Sequence, residues 1–297
     1  MTLLPRLPLA LPLTGSRYGR IDLDGALVAV TGAARGIGLQ TATAFAARGA
    51  RVALGDLDAD RAAAAAAELG PQASGHALDV TDRASVDAFL AAAEQHHGRP
   101  LDVLVNNAGV MPNGPFLDQR DDVDRLTMDV NVYGVIHGMR AALPGMIERE
   151  RGHVVNVCSL AGKFPLQGLA VYNASKFAAV GLTAATRLEV ERHGVSVSAV
   201  LPSAVRTELS SGIDYGVLPD CDPEDVAAAI VGSVRSRAAE IAVPGYVGAM
   251  QVLSTLVPEG MMRIGRRLLR DDAAITGVDP TVRQRYLDRI LASDARV

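Results

Sequence analysis

From Ala26 onward, short runs of β-branched and apolar residues alternate with longer segments whose apolar positions recur at helical spacing. Leu27–Val30, Arg51–Asp56, His76–Asp79, Val103–Asn106, His153–Cys158, Ser196–Leu201 and Ile241–Val243 read as strands. Between them, Gly36–Arg48, Asp58–Leu69, Ser85–His96, Asp122–Glu148, Tyr172–His193 and Pro223–Arg237 read as helices, with Asp58, Thr81 and Asp222 placed as N-caps. This βαβ alternation is the pattern of a parallel sheet covered on both faces. The expected fold is α/β, a single doubly wound parallel sheet of seven strands with helices on both faces. Pro and Gly clusters mark only loops, so residues 1–22 read as an arm, 23–245 as one domain and 246–297 as a helical extension.

Composition narrows what such a fold does. The chain has 297 residues, 29 Lys plus Arg against 33 Asp plus Glu, a net charge of -4 and 49% hydrophobic residues. It is long enough to bury a core without disulfides or metal. Its slightly acidic balance gives no reason to expect nucleic acid as a partner. Cys158, Cys221 and the six histidines show no CxxC or HxxxH spacing, so no metal site is expected and a reducing cytoplasm is the expected location. Pro5, Pro8 and Pro12 interrupt the apolar stretch Met1–Leu13, which reads as an arm and not as a signal peptide.

The first strand ends in Thr31-Gly32-Ala33-Ala34-Arg35-Gly36-Ile37-Gly38 and passes directly into a helix. Glycines at such a turn let the backbone approach a pyrophosphate, and the free N–H groups and positive dipole end of the helix face it. The spacing is GxxxGxG, not GxGxxG. Asp56, followed by Leu57, closes the second strand 18 residues after Gly38, close to the place of a carboxylate that accepts from an adenosine ribose. A negative charge there repels a 2′-phosphate, whereas Arg35 could pair with one. The acid stands at the ribose-facing strand end, with no Arg or Lys until Arg61, so NAD is expected over NADP.

Tyr172-Asn173-Ala174-Ser175-Lys176 opens a helix, with Tyr172 and Lys176 at i and i+4 on one face. Ser159 lies 13 residues earlier, at the carboxyl end of the fifth strand, where ligands of open α/β sheets bind. Hydride transfer at carbon needs a group that holds the proton leaving or joining oxygen. A free tyrosine, with pKa ~10, is a poor base at neutral pH. A neighbouring ammonium favours its phenolate, and a shift of about three units asks ~4 kcal/mol of that field. Tyr172 is the expected acid/base, and Ser159 is expected to hydrogen-bond the substrate oxygen.

Together, Ser159, the YxxxK set, Thr31 to Gly38, Asn106-Asn107-Ala108-Gly109 after the fourth strand and Asn131 in the next helix resemble the classical short-chain dehydrogenases/reductases, over about Leu23 to Gly245. The resemblance implies a Rossmann-like fold binding NAD through Gly32, Arg35, Gly36, Ile37, Gly38, Asp56, Leu57, Asp79, Val80, Asn106, Ala108, Gly109, Val205 and Thr207, with Tyr172 and Lys176 also touching the cofactor. It implies further that Lys176 binds the nicotinamide ribose, that Asn131 helps to hold a water linking Lys176 to solvent, and that Asp79 contacts adenine. Pairing of the long helices into a homodimer or homotetramer is implied as well. One departure stands out: Pro202-Ser203 replaces the usual Pro-Gly, and a side chain at Ser203 is expected to crowd the nicotinamide or substrate, or to restrict the loop's backbone.

The leading reading is an NAD(H)-dependent oxidoreductase that interconverts a hydrophobic secondary alcohol and its ketone. Met111, Phe164, Pro165, Leu166, Leu169 and Tyr215 are candidates for an apolar pocket, and ordinary packing would explain them equally well. A non-catalytic nucleotide-binding interaction protein is a second reading, against which the joint presence of Ser159, Tyr172 and Lys176 argues. A third is a peripheral membrane lipid, steroid or retinoid dehydrogenase, with the arginines of Met261–Arg270 lying on a bilayer. A lid or oligomer contact is preferred for that extension. Cys158 is expected to be a small buried residue.

Overall fold

The computed structural model describes residues 18–214, 220–246 and 272–294. The arm before Tyr18, Tyr215 and the basic segment Met261–Arg270 lie outside the described residues.

The described strands are β1 (Leu27–Thr31), β2 (Arg51–Asp56), β3 (Ala73–Ala77), β4 (Val103–Asn106), β5 (Gly152–Val157), β6 (Val195–Pro202), β7 (Ala204–Val205), β8 (Asp220–Cys221) and β9 (Glu240–Val243). Seven of them form one parallel sheet in the order β3-β2-β1-β4-β5-β6-β9, while β7 pairs only with β8. The helices are α1 (Gly36–Ala46), α2 (Ala59–Leu69), α3 (Arg83–His97), α4 (Asp121–Met128), α5 (Gly134–Glu148), α6 (Ala170–Val190), α7 (Pro223–Ser236) and, after a helical turn at Ala273–Thr276, α8 (Pro280–Asp294).

Every residue of β1 is buried, because alternate side chains enter two different cores. Val28 and Val30 pack with Val52, Leu54, Phe45 of α1 and Ile230 of α7. Leu27 and Ala29 pack on the other face with Leu104, Val154, Phe89 of α3 and Met139 of α5. Continuous apolar strands are the consequence of this double cover. Among the described residues, no helix is long and apolar enough to cross a membrane.

Three local expectations are corrected. The third strand is Ala73–Ala77, not His76–Asp79, and its last partner pair is Asp56 with Ala77. Gly75 masks it in the pattern: a Cβ there would lie 2.5 Å from the Ala62 carbonyl and the Ala63 backbone of α2, so the strand needs a residue that reads as a breaker. The cap of α3 is Asp82, whose carboxylate accepts from the N–H groups of Ala84 and Ser85, whereas Thr81 donates its hydroxyl to Asp79. Asp58 and Asp222 cap α2 and α7 as expected. The segment 122–148 is not one α-helix, for a π-turn at Asp129–Tyr133 separates α4 from α5. One extra residue in a turn leaves the apolar spacing on either side intact, so periodicity does not report it.

Candidate active site

The strand order reverses between β1 and β4, which opens a crevice at their carboxyl ends. Asn107 closes its floor. The Asn107 amide N–H and that of Ala108 both donate to Thr31 Oγ1 at 3.0 Å. Asn107 Nδ2 donates to the carbonyls of Thr31 at 2.9 Å and Gly32 at 3.0 Å. Gly32 has φ +62°, and a Cβ there would fall 2.8 Å from Ala108 Cα, so only glycine lets the two turns meet.

Above this floor begins α1. Unlike α2, α3 and α7, which start on aspartates, it follows Arg35, receives no side-chain cap and has no acid in its first turn. No side-chain cap therefore covers this helix N-terminus, and the arrangement suits a pyrophosphate. Asp56 is fixed beside it, with Oδ2 accepting from Ala34 N–H at 2.9 Å and Oδ1 from Asp58 N–H at 3.1 Å. Leu57 is exposed next to it. Arg35 donates to Glu208 at 3.1 Å and to Asp58 at 3.3 Å, so its guanidinium already faces two carboxylates.

The remaining expected cofactor residues separate into two groups. Asp79 accepts from both N–H and hydroxyl of Thr81, and the Val80 carbonyl accepts from His137 Nδ1 at 3.0 Å, which holds this turn against α5. Val205 lies in β7, and Thr207 exchanges capping bonds with Ser210 while its methyl stands 3.6 Å from where a Cβ of Gly36 would be. Asn106 differs: its side chain is buried under α5 at Gly138 and donates to Asn156 Oδ1 at 2.8 Å, so it joins β4 to β5 instead of facing the crevice. At Ser203 the expected backbone restriction does not arise. Its N–H donates to the Val243 carbonyl at 2.8 Å, and among described non-glycine residues only Glu150 and Arg237 have positive φ.

The residues expected to handle the proton gather one strand further on. Ser159 follows the end of β5 by two residues, and its Oγ accepts from Ala161 N–H at 3.1 Å, starting the turn Leu160–Gly162. Tyr172 and Lys176 are both buried on the inner face of α6, with Lys176 Nζ 5.7 Å from the Tyr172 ring centroid. That ammonium donates to the Val157 carbonyl at 3.0 Å, two residues before Ser159, and burial draws its pKa below the usual lysine value. Asn131 sits in the π-turn; its Oδ1 accepts from Val110 N–H at 2.9 Å, and its Nδ2 donates to the Val110 carbonyl at 2.9 Å and to Ser175 Oγ at 3.0 Å. A Cβ on Gly109 would fall 3.3 Å from Asn131 Oδ1 and 3.7 Å from Lys176 Nζ, which places that glycine between them. Burial pushes the Cys158 thiol up to about 11, so it stays an inert neighbour.

Around Tyr172 the packing is apolar. Met111, Ala161, Leu169 and Ala274 pack with it, joined by Leu166, Leu209 and Ile213. Phe164 and Pro165 are outside this cluster.

The short chain dehydrogenase family model matches residues 26–216, which span β1 through the site just described. The chain belongs to the short-chain dehydrogenases. It is 41% identical over 194 residues to a sorbitol dehydrogenase of Cereibacter sphaeroides, covering 65% of this chain and 75% of that one. It is 36% identical over 215 residues to a galactitol 2-dehydrogenase of Agrobacterium fabrum, covering 71% and 84%. A solved short chain dehydrogenase/reductase from Burkholderia phymatum in complex with NAD superposes with a TM-score of 0.72 at 26% identity, over 78% of this chain and 94% of that one. This short-chain dehydrogenase is therefore an oxidoreductase.

Four residues at the site escape sequence reasoning. Asn107 falls within a quoted motif without a stated role, and Glu208, Arg283 and Tyr286 are not singled out at all. Nothing in local spacing marks them, since each acts on backbone or charge that is distant in sequence.

Proposed function

We propose that this short-chain dehydrogenase transfers hydride between NAD(H) and a hydrophobic secondary alcohol or its ketone, with Ser159, Tyr172 and Lys176 as the catalytic residues. The observation that carries this reading is the buried Lys176 ammonium 5.7 Å from the Tyr172 ring, at the strand end that presents Ser159. The dinucleotide, when bound, supplies or accepts the hydride. Tyr172 handles the proton at its phenolic oxygen, taking it from the alcohol during oxidation and returning it during reduction. Lys176 favours the phenolate electrostatically, and the N–H donors not used on Val157 serve ribose hydroxyls. The Ser159 hydroxyl donates to the substrate oxygen. Asn131, whose side chain is held by Val110 and Ser175, acts as a positioning residue and helps to hold a water linking Lys176 to solvent.

Asp56 and the pairing of Arg35 with Asp58 and Glu208 support NAD over NADP, because a 2′-phosphate would meet three carboxylates and a guanidinium already neutralised. The apolar cluster on Tyr172 supports a hydrophobic substrate. Likeness to sorbitol and galactitol dehydrogenases favours a second reading, a polyol. Residues 23–245 form the catalytic unit, and of the extension the described residues 272–294 border its substrate side, in a protein that works in the cytoplasm as a dimer or tetramer. Membrane attachment is not part of this reading. The test is a panel of hydrophobic secondary alcohols and hexitols, followed at the NADH absorbance with NAD and with NADP. Oxidation of hexitols alone would replace the hydrophobic assignment, and no turnover of any alcohol or ketone would remove the catalytic one.

A further inference from the structure

Outside the Ser159, Tyr172 and Lys176 set, helix α8 also reaches the site. Arg283, on this C-terminal helix, is only 3% exposed. Its Nη2 donates to the Met111 carbonyl at 2.6 Å and its Nε to Asn113 Oδ1 at 2.6 Å. Its Nη1 donates to the carbonyls of Leu209 at 2.9 Å and Ser211 at 3.3 Å. Tyr286, one helical turn on, accepts from Met111 N–H at 2.8 Å, and the guanidinium lies 4.3 Å from its ring centroid. Both backbone polar groups of Met111 are therefore held by α8.

The two segments joined here, Met111–Asn113 after β4 and Leu209–Ser211 after β7, carry side chains of the apolar cluster on Tyr172, namely Met111 and Leu209. We propose that Arg283 is a positioning residue that locks these two segments together and so shapes the substrate side of the site. This rests on the oxidoreductase reading above. The physical case is the geometry of the donor. A planar guanidinium directs five N–H groups along fixed directions, which matches several acceptors on two segments at once; an ammonium on a flexible stem has three donors in no fixed plane. Burying such a cation is favourable only while its donors are engaged, so the two segments are held in register by the same group. The dinucleotide side has its own fastenings, in Asn107, Asp56 and the Thr207 turn. Loss of Arg283 should thus separate the two halves of the site.

The experiment compares the parent protein with Arg283→Met, Arg283→Lys and Tyr286→Phe. Amide hydrogen exchange over residues 110–113 and 209–213 reports the lock whether or not a substrate is known. Steady-state kinetics on an alcohol found by the panel, and NADH titration by fluorescence, report its consequence. For Arg283→Met we expect exchange in both segments to accelerate at least tenfold, KM to rise about tenfold or more, as a displaced substrate contact allows, and kcat to change less than KM. NADH affinity should stay within about twofold of the parent, and Arg283→Lys should recover part of the KM. Unchanged exchange and KM in a folded Arg283→Met protein would overturn the proposal, as would a loss of NADH affinity parallel to the rise in KM. Should that variant not fold, Tyr286→Phe takes its place, with faster exchange at Met111 expected and an unchanged rate overturning the lock. A parent protein without turnover would instead sink the oxidoreductase reading, and the exchange rates would still decide the lock.

Discussion

The side-chain amide of Asn131 and the hydroxyl of Ser175 are joined by a 3.0 Å hydrogen bond, and that hydroxyl donates in turn to the Tyr172 carbonyl at 2.7 Å. The π-turn between α4 and α5 is thereby tied to the first turn of the helix that carries Tyr172. Asn131→Ala would leave the Val110 N–H and carbonyl without their side-chain partner. It should destabilise the protein by ~1–3 kcal/mol, the scale for an unsatisfied buried polar group, and lower kcat as Tyr172 loses its fixed placement. Urea unfolding and kinetics check both; a variant with parent stability and kcat would remove Asn131 from the positioning network.

Removing only the phenolic oxygen isolates the proton step. Tyr172→Phe should lose ~10² to 10⁴ in turnover, the range for an acid/base group, while NADH binding persists. Lys176→Ala should weaken both, since its ammonium faces the phenol and is assigned to the ribose. Normal turnover by Tyr172→Phe on a confirmed substrate would falsify the mechanism.

Cofactor choice turns on charge at the glycine turn. Asp56→Ala should narrow the preference for NAD, and Asp56→Ala with Glu208→Gln should narrow it further by freeing Arg35. Competitive titration with NADH and NADPH measures this. Tighter NADPH binding by the parent would mean that Arg35 prevails over the three acids.

Acid should unfold this protein through histidines that are buried uncharged. Burial, with help from His96, Arg51 and His76, pushes His97 down to about 4, and burial with Arg237 nearby holds His153 well below its usual 6.5. In the unfolded chain both take up protons near pH 6.5. Between about pH 6.5 and 4 the unfolded state therefore binds more protons, so stability is full above this window and declines as pH falls through it. Urea midpoints at pH 7 and pH 5 should differ, and His97→Gln, which keeps a polar partner for Ser74, should reduce the difference. Equal midpoints in the parent would contradict the assignment.

The outer face of α6 predicts self-association. Ala174, Phe177, Gly181, Ala184 and Leu188 are exposed along one stripe, with Leu188 72% exposed and nothing within 4 Å of a Cβ built on Gly181. Such spacing lays small and apolar residues along one side of a helix, with room for the backbone of a second helix to approach. Sedimentation should find a dimer or larger at micromolar concentration, and Gly181→Glu should shift it toward monomer. A monomeric parent protein would leave the stripe without this role.

The local elements of the candidate site are legible in the sequence, because they are written in short-range spacing. The glycine turn after β1, the i, i+4 pair Tyr172 and Lys176, and the caps Asp58 and Asp222 each lie within one turn or loop, where backbone geometry alone relates their residues. Double burial of the strands likewise leaves a mark in the chain, as unbroken apolar runs. The register of β3 does not, since Gly75 is explained only by the α2 backbone lying against it. Nor does the direction of Asn106, which stands in a motif expected to face a cofactor yet turns under α5 to reach Asn156. Arg283 is the extreme case, one arginine among many in the C-terminal segment until Met111, 172 residues earlier, supplies its acceptor. Local patterns reflect the geometry of a helix or strand with itself, whereas these three residues depend on which surfaces meet when the layers close.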